Sequence, residues 1–474
     1  MIRKKDVCVL IDKKAEKFQK LSKEIWNYAE LGLREFKSAG RQCEILEEEG
    51  FLVTKNLAGM PTAFEGRWGC QKPVVAILGE FDALPGLSQK AALAKQEPLQ
   101  EGGCGHGCGH NLLGAGSMAA AVAVKDYLQK NEIKGSIVYF GCPGEEKGSG
   151  KTFMARAGCF DGVDAALCWH PGDANFVMNT SSLAALCTYF RFYGTTSHAA
   201  ASPYLGRSAL DAVELMNVGC NYLREHIIPE ARVHYAITNP GSSAPNVVPD
   251  FAEVFYESRA PILNDAFAIL ERICDVARGA ALMTGTRCEI ARGEGYSNYI
   301  PNRILGGLLQ KNLEQIGSPP FSSEELRFAE AIKKTLPGSA EESALASIRK
   351  QTDDDTANKL KGRVAADIIA PFPQNGGILP GSTDVGDVSY VTPTGQIFIA
   401  CKALGTPDHS WQQVSQSGSS LGQTGMITAA KILALTALDL IVCPCLLKEA
   451  REEFFTGRGG DYHCPIPSNV EPEL

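Results

Sequence analysis

Long uncharged apolar runs are missing from this chain. The late stretch Ile432 to Leu447 is interrupted by Asp439 and Pro444, too short an apolar run to span a bilayer. The N-terminal run Val7 to Ile11 stops at Asp12, which excludes a signal peptide. Basic clusters are also missing. Lys plus Arg number 46 against 54 Asp plus Glu, for a formal net charge of −8. That balance makes a poor nucleic-acid binder and argues against a membrane-surface partner. Cysteine is too sparse for a disulfide scaffold: 16 in 474 residues, scattered without a repeating spacing. Most are expected to be buried small hydrophobes in a reducing compartment, so the expected location is the cytoplasm. No internal repeat is visible.

What is present is globular. Hydrophobic residues make up 44% and charged residues 21%, which excludes disordered and fibrous classes. The length of 474 residues allows about three domains and a large core. Residues 15–50 read as helices, with Phe18, Leu21 and Ile25, then Cys43 and Leu46, on the apolar faces. Val74–Leu78, Ser136–Phe140 and Val163–Trp169 read as buried strands, and Leu112–Leu128 as a helix of small residues. Continuous apolar strands separated by helices predict an α/β fold with a mostly parallel sheet covered on both faces. Near residue 183 the texture changes to alternating strands in the order β-α-β-β-α-β. The expected division is a catalytic domain in two parts, 1–182 and 299–474, with a ferredoxin-like α/β domain of 183–298 inserted between them. Residues 321–366, with Thr352-Asp353-Asp354-Asp355, read as surface helices and loop.

Five of the eight histidines have chemically suggestive surroundings: His106, His110, His170, His198 and His409. Cys108 and His110 stand two apart on a Gly-rich loop before a helix, and thiolate plus imidazole suits a divalent transition metal. Taken alone, the stretch is equally a flexible loop with incidental Cys and His. Glu145 and Glu146 follow the strand 136–140, at the carboxyl edge where open α/β sheets carry their sites. Two adjacent carboxylates can divide the work, one ligating a metal and its neighbour moving a proton; a solvated acidic turn is the bland alternative. His170 ends the next strand, and His409 follows the strand Gln396–Ala400. One His after a strand is usually structural, whereas four such placements point to a site. Asp82, past strand 74–78, is placed to hydrogen-bond a ligating imidazole, or else is a turn carboxylate before Pro85.

Together these residues resemble a metal-dependent amidohydrolase of the M20 aminoacylase/carboxypeptidase family, in the branch with Cys-Gly-His in place of a bridging aspartate. The resemblance spans nearly the whole chain: Trp26-Asn27-Tyr28-Ala29-Glu30-Leu31-Gly32, Asp82-Ala83-Leu84-Pro85, Cys108-Gly109-His110, Gly144-Glu145-Glu146, His170, Ser197-His198-Ala199, Asn246-Val247-Val248-Pro249 and His409. Longer strings at 79–89, 106–114, 382–389 and 462–467 are similar to the family's p-aminobenzoyl-glutamate-hydrolysing members.

The resemblance implies a two-domain architecture whose inserted domain is both lid and dimer interface. It implies two divalent ions, Mn or Zn, held by Cys108, His110, Glu146, His170 and His409. It makes Glu145 the general base, and gives His198 the task of polarising the scissile carbonyl, from one subunit into its partner's site. Asp82 joins this catalytic group; Asn246, Arg259 and Arg207 are candidates to bind a substrate carboxylate, with a plain salt bridge as the alternative for Arg259. The residue after His110 is Asn111, where most members have Asp. His106 is expected behind the ligands, and His226, His234 and His463 have no assigned role. The implied reaction is hydrolysis of an amide bond to a C-terminal amino acid, with p-aminobenzoyl-glutamate the foremost substrate. The alternatives are a broader dipeptidase or N-acyl-amino-acid deacylase, and a non-catalytic metal-stabilised subunit. The implied partners are a small acyl-amino acid or dipeptide, and a second subunit, either identical or a related A-type chain.

Overall fold

The computed structural model describes residues 2–374, 376–379, 381–458 and 460–473. In chain order the strands are β1 (Leu52–Lys55), β2 (Phe64–Trp68), β3 (Val74–Glu80), β4 (Ser136–Cys142), β5 (Ala165–Gly172), β6 (Phe176–Val177) and β7 (Ser181–Ser182). They continue with β8 (Ala184–Tyr193), β9 (Arg232–Asn239), β10 (Phe251–Ala260), β11 (Arg287–Tyr296), β12 (Ile378–Leu379) and β13 (Thr394–Ala400). A seven-stranded sheet runs β1-β2-β4-β3-β5-β13-β6. Its centre, β4-β3-β5-β13, is parallel. The flanking pairs β1-β2, β2-β4 and β13-β6 are antiparallel. The parallel character expected from the apolar runs therefore holds for the buried centre, and the edges depart from it. Edge strands need no helix on both faces, so an antiparallel ladder serves them.

Alternate residues of the central strands feed two cores, as the pleat requires. Val75, Ile77, Ile137 and Ile397 face the helices Lys4–Tyr28, His110–Lys130 and Ser420–Val442. Ala76, Leu78, Val138 and Phe140 face the opposite way, toward Phe153, Met154, Val385 and Tyr299. Ser420–Val442 is long and apolar enough to cross a membrane, which corrects the shorter apolar stretch read near its end. In its most apolar window, however, 78% of the residues are buried inside the protein, as in a core helix.

The helix His110–Lys130 lies close against β3, because a Cβ at Gly114 would come within 2.7 Å of the Glu80 carbonyl. Only a glycine lets the helix start beside the end of β3. A second sheet, β11-β8-β10-β9, is antiparallel throughout and carries the helices Ala209–Leu223 and Leu263–Thr284. Its element order is β-α-β-β-α-β with a core of its own, including Phe190, Phe192, Val254 and Ile273.

Residues 321–366 form three helices, Ser323–Lys333, Ala340–Gln351 and Asp354–Leu360. They are less superficial than their charge suggests. Leu345, Ile348, Ala357 and Leu360 are buried against Phe176, Ala400 and Leu404, since one apolar face suffices to dock an otherwise polar helix.

Replacing Gly114 with Ala forces the helix off β3. The expected loss is about 1–3 kcal/mol, read as a lower denaturation midpoint with an unchanged fold by circular dichroism.

Candidate functional site

Because β4, β3, β5 and β13 run parallel, their carboxyl ends meet on one edge of the sheet. Asp82 follows β3, Glu145 and Glu146 follow β4, His170 lies near the end of β5, and His409 sits on the segment after β13. The loop carrying Cys108 reaches the same edge. Gly109 has φ 79°, a left-handed conformation that turns Cys108 and His110 together at the start of the helix. The backbone N–H of His409, itself at φ 56°, donates to the Gly107 carbonyl at 2.9 Å and ties the two loops.

Cys108 Sγ lies 3.3 Å from His170 Nε2. His409 Nε2 lies 3.2 Å from Glu146 Oε2. Three sets of donor atoms, Cys108–His110–His170, Cys108–Glu146–His409 and Glu80–His110–Glu145, each fall within 4.8 Å of one another; the first two share the cysteine and the first and third share His110. Their outer contacts point the free lone pairs inward. His110 Nδ1 donates to Asp82 at 2.7 Å and His170 Nδ1 donates to the Pro171 carbonyl at 2.9 Å, so both rings turn Nε2 toward the other donors. His110 Nε2 and Glu146 Oε1 are buried without a hydrogen-bond partner among the described residues. Buried polar atoms left so are costly unless a cation meets them, and thiolate, imidazole and carboxylate are the donors a divalent transition metal takes. The residues fit a pair of such ions.

Behind the ligand atoms lies a charged cluster. Asp82 also accepts the backbone N–H of Glu146 at 2.9 Å, joining the end of β3 to the acidic turn. Glu80, the last residue of β3, sits 3.3 Å from His110 Nε2 and 2.7 Å from the buried Lys151 ammonium. Lys151 also pairs with Asp384. Burial, then the charges of Glu80 and Asp384, hold the Glu145 carboxyl well above the ordinary range, so it retains a proton readily. Burial, reinforced by Glu146, raises the Cys108 thiol in the same way, and a bound cation reverses that. Glu35 accepts the Gly144 N–H at 2.8 Å, and its carboxyl is pushed from 4.5 to about 8 by burial and by Asp82.

Sequence reasoning found the five ligand candidates, Glu145 and Asp82, and the structure brings these together. It missed Glu80, Lys151, Asp384 and Glu35. Glu80 stands two residues before Asp82 in the string 79–89 and Asp384 in the string 382–389, but the charge that links them comes from Lys151, far along the chain.

His106 lies behind the cluster, its Nε2 bonded to the Ile25 carbonyl at 3.0 Å; burial lowers its pKa to about 4 and keeps it neutral. Asn111 points away from the donors. Its amide donates to Ser22 Oγ at 3.0 Å and to the Ser417 carbonyl at 2.9 Å, and a carboxylate would repel that carbonyl. Asn at this position therefore serves helix packing.

The other predicted residues sit on or beside the second sheet. His198 is exposed, its Nδ1 accepting from the Ala200 and Ala201 amides. It pairs through its backbone with Val247, next to the exposed Asn246. Arg207 hydrogen-bonds the Gly206 carbonyl, and Arg259 pairs with Glu257 at 3.0 Å. These contacts are with neighbouring residues of the second sheet and its loops. Between the two sheets a cavity of 580 Å³ opens onto Glu146, walled by Arg34 and Lys147 and by Glu294, Glu471 and Glu473.

A parallel-centred sheet with thiolate, imidazole and carboxylate donors at its carboxyl edge, facing a second smaller α/β unit, defines an amidohydrolase of the metallopeptidase class. The chain belongs to the peptidase family M20/M25/M40, whose family model matches residues 76–411. It is 46% identical to the B-type chain of p-aminobenzoyl-glutamate hydrolase from Escherichia coli (strain K12), over 98% of this chain and 97% of that one. It is 31% identical to the Xaa-Arg dipeptidase of Mus musculus, over 94% and 90%. Among solved structures, a dinuclear metal-binding peptidase of the M20 family from Bacillus subtilis aligns with a TM-score of 0.57 at 16% identity, over 91% of this chain and 99% of that one.

Asp82→Ala frees the His110 ring, and divalent-metal affinity is expected to fall about 10–100-fold in a chelator competition. Glu35 gives a pH signature in the metal-free protein. Between 4.5 and about 8 the folded chain keeps a proton that the unfolded chain has released, so this group's contribution to stability falls as pH rises through that window. Glu35→Gln is expected to gain on the wild type between pH 5 and pH 8, read from denaturation midpoints at the two values.

Proposed function

We propose that this chain hydrolyses the amide bond of an acyl-amino acid, p-aminobenzoyl-glutamate foremost, to give p-aminobenzoate and glutamate. The observation that carries the reading is the 46% identity along 98% of the chain to a hydrolase of that substrate, together with an intact donor cluster. Cys108, His110, Glu146, His170 and His409 would hold two divalent ions between them. The thiolate and the three imidazoles favour Zn by softness, and Mn is the alternative. When bound, the ions supply Lewis-acid polarisation of the carbonyl and a lowered water pKa. Glu145, its proton affinity raised by burial beside Glu80 and Asp384, takes the proton of the attacking water and passes it to the departing glutamate nitrogen. Asp82 holds His110 in register, and Lys151 holds Glu80 and Asp384 in place.

His198 acts on the carbonyl oxygen from a neighbouring subunit, and Asn246, Arg259 and Arg207 serve the substrate carboxylates. A dimer through the unit of residues 183–298 is supported by its exposed apolar side chains, among them Leu282, Met283, Tyr222 and Val218. The second subunit is a copy of this chain or an A-type chain, since the Escherichia coli hydrolase is named as having chains of both types. The sixteen free thiols support a cytoplasmic location.

A second reading, hydrolysis of dipeptides with a cationic residue, is favoured by Glu294, Glu471 and Glu473 around the cavity between the sheets. Release of p-aminobenzoate by the purified chain with Mn, with Zn and with a chelator, set beside release of arginine from an Xaa-Arg dipeptide, separates the two. Glu145→Gln is expected to keep two metals per chain and lose about 10²–10⁴-fold in kcat, whereas His170→Ala loses metal and turnover together. Full activity in metal-replete Glu145→Gln overturns the mechanism.

A further inference from the structure

We infer that the helix Ala340–Gln351 walls a second compartment of the site, which accepts the aryl part of an aroyl-amino acid. The inference rests on the proposed amide hydrolysis and extends it to the group on the acyl side of the bond.

A cavity of 420 Å³ opens at His170 and Asp408, next to the donor cluster, and runs out beneath residues 337–351. Its size is that of an ordinary small-molecule site. The inner wall is aromatic. Phe398 lies 5.3 Å from the His170 ring and stacks on Phe176 at 4.8 Å with an interplanar angle of 3°. Phe398 pairs across the sheet with His170 on one side and Phe176 on the other, so an aryl group entering beside His170 meets the edges of an aromatic row already in place.

The outer wall is built by a four-residue repeat. Ser339, Ser343, Ser347 and Gln351 form one row and Ala340, Ala344 and Ile348 the next, and all seven line the cavity. Residues four apart share a helix face, so one row offers small apolar contacts and the other hydrogen-bond partners for a polar ring substituent. The wall is fixed. Ile348 and Leu345 are buried against Phe176 and Ala400, and the Gly405 backbone packs on Glu341.

Charge decides which end of the substrate belongs here. The cavity's buried cation, Lys402, already pairs with Asp408, and Asp173 accepts the Gly405 N–H at 3.1 Å. No spare cation remains among these groups to meet a dicarboxylate, so the glutamate end is disfavoured and a neutral aryl group is suited.

The test fills the compartment without touching a donor. In Ala344→Trp, the ratio of kcat/KM for p-aminobenzoyl-glutamate over N-acetyl-glutamate is expected to fall at least tenfold, and the affinity for free p-aminobenzoate, read by calorimetry, to fall likewise. Phe398→Leu, which keeps bulk and removes the ring, should move both quantities the same way. A ratio and an affinity that Ala344→Trp leaves unchanged in a folded protein overturn the compartment. Should the wild type hydrolyse neither amide yet bind p-aminobenzoate in an Ala344→Trp-sensitive manner, the compartment stands and the proposed substrate falls.

Discussion

Negative charge gathered out of water at one edge of the sheet is the constraint on which this molecule is organised. Glu80, Asp82, Glu145 and Asp384 lie close together there, with the Lys151 ammonium between Glu80 and Asp384. Buried carboxylates repel one another and lose hydration, and one ammonium offsets only part of that cost. The remaining donors, Cys108, His110, Glu146, His170 and His409, bring their ligand atoms into overlapping sets within 4.8 Å of one another. A pair of divalent cations would settle both the charge and the lone pairs. Binding of such ions is thereby coupled to folding, and removing them should cost stability as well as activity.

Everything that supports the cluster follows from bringing strand ends together. The parallel centre of the sheet aligns four carboxyl ends, and the small residues of His110–Lys130 let that helix begin against β3. Two cavities lead away from the cluster in different directions. One lies between the two sheets and is lined by charged side chains of both signs. The other lies under Ala340–Gln351 and is aromatic and hydroxyl-lined. An amide substrate has two chemically different ends, and a site with two unlike compartments can discriminate both.

Much of this was legible in the residues. Continuous apolar strands, the change of texture near residue 183, and Cys, His and Glu at strand ends led to the fold class and to the donor set. What stayed hidden shares one cause. Lys151 and Asp384 are 233 positions apart, and nothing local marks either as buried until the chain folds. The charged segment 321–366 looked superficial because its buried face is narrow, a few apolar residues per helix. Asn111 looked like a change beside the donors, and its amide proved to serve two neighbouring segments of the chain.

Periodicity, strand composition and motif spacing are local properties, and by themselves they determined the α/β class and the inserted β-α-β-β-α-β unit and marked candidate donor residues, whose roles came from the family resemblance. Only the tertiary structure decided which lone pairs face inward, which carboxylates share Lys151, and that a polar helix closes a cavity beside His170. The reason is physical. Burial and charge pairing depend on distances between segments remote in sequence, and those distances exist only once the sheet has assembled.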